Sequence, residues 1–145
     1  MRYYLLIFAV LLISCEPTRM SSGPLPPGVE RGQTWAEASD FGYEKKVYVA
    51  PDYVAYPLNG SPDFQRAVNE TYRSDECNTG PEKAIVQYVI SEEGQVELVH
   101  PITQLEEKCL LVISKTIRGF EFFPAEHKDQ SVKILMAATI SRSVL

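Results

Sequence analysis

The stretch Ala84-Ile85-Val86-Gln87-Tyr88-Val89-Ile90, then Ser91-Glu92-Glu93-Gly94-Gln95, then Val96-Glu97-Leu98-Val99-His100-Pro101-Ile102 decides the fold. β-Branched and aromatic residues fill the first run. Glu92-Glu93-Gly94 supplies a turn, and Val96 to Ile102 returns, so the stretch reads as a β-hairpin. Alternation puts Val86, Tyr88 and Ile90 on one face. Ile85 and Val89 fall on the other, with Gln87 between them. A single apolar face needs a cover, which must come from flanking segments.

Both flanks supply a helix. Downstream, Thr103 with Glu106 three residues on has the form of a capping box. Leu105, Cys109, Val112, Ile113, Thr116 and Ile117 then form one helical stripe, and Gly119 suits a left-handed stop. Phe120, Phe122, Phe123 and Pro124 follow, then a polar loop from Glu126 to Gln130. The last strand is expected from Val132 to about Ile140, with Val132, Ile134, Met136, Ala138 and Ile140 alternating. Upstream, Tyr56-Pro57-Leu58-Asn59-Gly60 is a turn cluster. Ser61 then reads as a cap and Pro62 as the first helical residue. Phe64, Ala67, Val68, Thr71 and Tyr72 share the face of a helix ending near Ser74. Val47-Tyr48-Val49 is a short leading strand. The order helix, strand, strand, helix, strand predicts a two-layer α+β domain with a small antiparallel sheet.

Further out, Glu16 to about Lys45 carries Pro17, Pro24, Pro26 and Pro27 with Gly23, Gly28 and Gly32 and no periodicity, the composition of a tether. Trp35, Phe41 and Tyr43 are its candidates for docking on the domain. The first fifteen residues, MRYYLLIFAVLLISC, hold one charge, Arg2. Tyr3 to Ile13 is an unbroken apolar run of eleven residues. A spanning helix needs about 20, whereas this length fits a signal-peptide core. The run ends in Leu12-Ile13-Ser14-Cys15, which resembles the lipobox of bacterial lipoproteins. That resemblance implies cleavage before Cys15 and its acylation. The expected organisation is therefore a signal peptide over 1–14, a lipidated Cys15 with its tether over 15–45, and a domain over 46–145.

Cleavage leaves 131 residues, with 13 Lys and Arg against 19 acids, a formal charge of −6. An anionic body gains nothing from anionic headgroups, so lipid must hold it at the membrane. The same charge argues against a nucleic-acid partner. With Cys15 acylated, Cys77 and Cys109 remain in an exported, oxidising compartment. They either form a disulfide, closing a loop of about 30 residues for roughly 3–4 kcal/mol, or stay separate thiols. Three Cys and two His leave little for a metal cluster, and neither metal nor cofactor is expected.

The ordered set Ala84 to Val96, Tyr56-Pro57-Leu58-Asn59-Gly60 before a helix, Phe122-Phe123-Pro124-Ala125 and Val132-Lys133-Ile134 resembles the TonB C-terminal domain family of the Bacteroidetes type. The likeness runs from about Val47 to Ile140. It departs at Asp129-Gln130-Ser131-Val132, where the family has Gly-x-Pro-Val. Energy-transducing members also keep an uncleaved membrane helix and a much longer Pro-rich linker. The resemblance implies a receptor-binding domain without the motor connection.

No catalytic constellation is visible. His100 falls in the return strand and His127 in a polar loop, outside any Ser/His/Asp or Cys/His arrangement. Glu92-Glu93 and Glu106-Glu107 are adjacent pairs whose side chains diverge. What remains is the last strand, which closes the chain and is expected at a sheet edge. Edges take up extended peptides by strand addition, unless the tether or a second copy, as in a homodimer, covers them. The expected peptide-binding residues are Val132, Ile134, Met136, Ala138 and Ile140. Proline at Ile134 or Met136 is expected to block binding and spare the fold. The chain thus reads as a cell-envelope lipoprotein facing the periplasm, on either membrane. It would bind or scaffold an envelope or outer-membrane protein through an extended segment. The alternatives are a TonB-type energy transducer for receptor-mediated transport and, favoured only by the histidines and scattered carboxylates, an envelope enzyme.

Overall fold

The computed structural model describes residues 46–143 and the backbone of Ala36–Glu37. The signal-peptide segment, Cys15 and nearly all of the tether lie outside the described residues. The described residues form a mixed α+β structure with two α-helices and small antiparallel sheets. Its centre is the hairpin of β4 (Lys83–Ile90) and β5 (Val96–Pro101). The last strand, β9 (Ile134–Ser141), lies on the other side of β4, giving the order β5-β4-β9. β4 pairs with β9 along its whole length, from Lys83↔Ser141 to Ile90↔Ile134. Against β5 the register shifts between Val89 and Ile90, a bulge at the turn.

Two helices, α1 (Ser61–Tyr72) and α2 (Glu107–Arg118), cover one sheet face. Each contributes buried residues four apart, the spacing of one helical stripe. These are Phe64, Val68 and Tyr72 on α1 and Cys109, Ile113 and Ile117 on α2. They share a core with Val86, Tyr88, Ile90, Ile134, Ala138 and Ile140 of the sheet. Phe64 anchors an aromatic cluster, its ring 5.1 Å from Phe120, 5.6 Å from Phe122 and 5.7 Å from Tyr88. The helices also meet through Thr71 and Thr116, whose hydroxyl oxygens are 2.9 Å apart. On the opposite sheet face Val47 and Val49 pack on Val89, Leu98 and Leu135 in a second, smaller cluster. Gln87 is fully buried on that face, between the cross-strand partners His100 and Ala137. Its carboxamide has no hydrogen-bond partner among the described residues.

Short strands complete the described residues. β1 (Ala36–Glu37) pairs with β2 (Lys46–Val47), and β3 (Tyr56–Pro57) with β6 (Phe122–Phe123). β7 (Ala125–His127) and β8 (Gln130–Val132) form a tight hairpin. A short 3-10 turn over Asp75–Cys77 follows α1 and is joined to α2 by a disulfide. The sulfurs of Cys77 and Cys109 are 2.00 Å apart and the Cα atoms 4.7 Å.

Several expected boundaries are corrected. Ser61 opens α1 as a helical residue, with Gly60 as the cap at φ 88. The Thr103–Glu106 capping box does not form. Glu106 occupies the N-cap without a side-chain cap bond. Thr103 Oγ1 instead accepts from the Ile85 amide at 2.9 Å, and Glu106 Oε1 accepts from Thr79 Oγ1 at 2.5 Å. Sheet and turn competed for both side chains and won. Gly119 is right-handed at φ −76, not the left-handed stop. The loop after Pro124 is a hairpin turned by Lys128 and Asp129 at φ 51 and 61. Val132 therefore belongs to β8 and not to the last strand.

Candidate functional site: the outer edge of the last strand

In an antiparallel strand the amide and carbonyl of one residue point to the same side, and successive residues alternate. Four contacts fix the parity of β9. On the side away from β4, the Tyr48 amide donates to Lys133 O at 2.8 Å, and the Leu135 amide donates to Tyr48 O at 2.9 Å. Gln65 Nε2 donates to Thr139 O at 2.8 Å, and the Ser141 amide donates to Asn69 Oδ1 at 3.0 Å. Odd-numbered residues thus face outward. Ala137 lies between these contacts, so its amide and carbonyl face outward too. The described residues place no hydrogen-bond partner on either.

The residues that build this edge are local in origin. Gln65 and Asn69 are one helical turn apart on α1 and hydrogen bond to each other at 3.1 Å. Their face of the helix therefore lies along β9. Tyr48 reaches the start of β9 because the chain leaving β2 runs parallel to it for a single bridge, Tyr48↔Ile134. Beside the Gln65 contact is a groove of about 360 Å³, lined by Ala55, Pro57, Ser61, Phe64, Gln65, Tyr88, Phe122 and residues 136–139. Burial pushes the Tyr88 hydroxyl above its ordinary value, so this wall of the groove carries no charge. Beside it stands an exposed aromatic ledge. The rings of Tyr56 and Phe123 stack 4.7 Å apart, and each is nearly half exposed. Tyr53 and Leu58, nearby in sequence, are exposed as well. Apolar side chains exposed together mark contact surfaces more often than scattered ones do.

The expected peptide-binding residues take a different role. Ile134, Ala138 and Ile140 point their side chains into the helix-covered core, with Met136 packed against it. Their amides face β4. Val132 is on another strand altogether. Proline at Ile134 or Met136 would therefore break the β4 ladder, contrary to expectation. The outward backbone belongs to Leu135, Ala137 and Thr139. Gln65, Asn69 and Tyr48 frame it, and no pattern in the strand itself signals them.

The remaining candidates separate in space. His100 is on β5 opposite Gln87. His127 is in the β7–β8 hairpin, its Nδ1 3.3 Å from Asp52 Oδ2 and its ring 5.0 Å from that of Tyr48. The geometry of that His–Asp approach falls short of a hydrogen bond. Asp52 Oδ2 instead accepts the Lys128 amide at 2.9 Å, which holds the strained turn. Glu92 pairs with Lys133 at 2.9 Å, and Glu97 with the same Lys133 at 2.5 Å. Among the described residues, no group of three or more His, Cys, Asp or Glu could hold a metal ion. No described helix is long and apolar enough to cross a membrane.

The disulfide anchors the far end of β9. Arg142, one residue past β9, donates to Asn78 O at 2.9 Å and to Cys77 O, and its guanidinium lies 5.3 Å from the Tyr72 ring centroid. Tyr72 Oη donates to Pro81 O at 2.7 Å. The edge strand is thus held at one end by Tyr48 and at the other by α1 and the disulfide loop. No protein-family model, curated protein or solved structure matches this chain.

Proposed function

We propose that this chain is a cell-envelope lipoprotein whose domain binds or scaffolds a membrane-protein partner by adding a strand of that partner to the outer edge of β9. The observation that carries this reading is the outward backbone of Ala137, which lies along β9 between the Tyr48 and Gln65 contacts and lines an apolar groove. Backbone hydrogen bonds give such a site its affinity, and side-chain pockets give it specificity. The stacked Tyr56 and Phe123 rings offer apolar contact beside the groove. The lipobox Leu12-Ile13-Ser14-Cys15 supports an anchor, and the Cys77–Cys109 pair suits an oxidising compartment. The element order supports kinship with the TonB C-terminal domain, and the role is binding, not catalysis.

Alanine 137 gives the test. Ala137→Pro removes only an outward amide, so the β4 ladder survives, as prolines do on edge strands. Crosslinked pull-down from envelope membranes should lose the partner with this variant while circular dichroism stays near native. Equal capture by the variant overturns strand addition. Intact mass of the membrane-extracted protein separates the two envelope readings. An acylated chain beginning at Cys15 supports the lipoprotein. An unprocessed chain beginning at Met1 favours the energy transducer.

A further inference from the structure

Among the described residues, only part of the β9 edge lacks a partner. Tyr48 occupies Lys133 O and the Leu135 amide. Gln65 occupies Thr139 O, and Asn69 the Ser141 amide. These two carboxamides, joined to each other, stand where a neighbouring strand would continue. Edge strands need such protection against indiscriminate pairing.

Resting on the strand-addition reading, we propose that Gln65 and Asn69 are a stopper that sets the partner's class. It admits a short extended segment that forms one rung, with Ala137, and carries a bulky apolar side chain one position from the rung residue. The geometry dictates that offset. In antiparallel pairing, the orientation proposed, the rung residue lies opposite Ala137, exchanges both hydrogen bonds with it and shares its face. Its neighbours project to the helix-covered face, where the groove is walled by Phe64, Tyr88 and Phe122. One rung supplies too little affinity alone, because each of its two hydrogen bonds nets only about 0.5–1.5 kcal/mol. The apolar side chain must supply the rest. A long strand of small polar residues would have to displace Gln65 and gains nothing in the groove.

The test follows backbone amide hydrogen exchange of the full mature chain. The probes are two blocked heptapeptides, one all threonine and one with its central residue replaced by phenylalanine. The phenylalanine probe, in excess, should slow exchange at the Ala137 amide by about tenfold, the upper range for one hydrogen bond. The all-threonine probe should not, and Thr139 should be unaffected by either. In the double variant Gln65→Ala, Asn69→Ala, Ser141 exchange should rise. Protection should then spread to Thr139, and the all-threonine probe should become effective. Protection of Ala137 and Thr139 by both probes in the unaltered chain overturns the stopper and leaves strand addition standing. Unchanged Ser141 exchange in the double variant does the same. If neither probe protects Ala137 in either protein, the strand-addition reading itself fails.

Discussion

Met136 and Ala137 are adjacent residues whose amides point opposite ways. The Met136 amide faces β4, so Met136→Pro removes a ladder donor and orphans a buried carbonyl, at about 1–3 kcal/mol. Ala137→Pro should leave thermal stability nearly unchanged. Melting curves of the two variants check the assigned parity, and equal losses would contradict it. Lys133 offers a second residue-scale test. Burial raises the Glu92 carboxyl, but the Lys133 hydrogen bond and charge outweigh it, and the net shift is downward from 4.5. A depressed carboxylate stabilises the fold above its unfolded value and loses that contribution as pH falls through the folded one. Lys133→Met should therefore lose less stability than the unaltered chain as pH falls from about 6 to about 2, through the lowered folded value. Parallel losses would show that the pair carries no pH dependence. The side-chain role of β9 was legible in the sequence, since a period of two marks which residues face the core. Which amides face outward was not, because that depends on which side β4 lies.

At the scale of elements, the hairpin and both helices were readable, since each carries a periodicity strong enough to survive any packing. Their ends were not. Thr103 has the right spacing for a capping box, yet its hydroxyl bonds the Ile85 amide across the chain. Nothing within four residues of Thr103 announces that competitor. Lys128 and Asp129 take positive φ without glycine, so the β7–β8 hairpin lacked its usual turn signal. Gly94 shows the converse case. Its φ is 81, and a Cβ there would lie 1.9 Å from Phe122 O. The disulfide links elements 32 residues apart. Replacing both cysteines with serine should cost about 3–4 kcal/mol by the loop-entropy model, or roughly 15–20 °C in Tm. It should also free the Arg142 end of β9. A differential scanning measurement showing no change would mean that the helix packing alone fixes the 3-10 turn.

For the whole molecule, the two sheet faces and the sheet edge have separate roles. One face builds the main core under α1 and α2. The other carries the small valine–leucine cluster and the buried carboxamide of Gln87. Among the described residues, the outer edge of β9 keeps the Ala137 amide and carbonyl without a partner, beside an apolar groove. A surface far from it, at Leu111 on α2, is also apolar and more than two-thirds exposed, which makes it the natural control. Site-specific photocrosslinking in intact cells tests strand addition at this edge. A photoreactive side chain is placed at Thr139, exposed on the edge, and in a separate protein at Leu111. Strand addition predicts a discrete partner adduct from Thr139, lost when Ala137→Pro is added, and none from Leu111. The same adduct from Leu111, with none from Thr139, would contradict it.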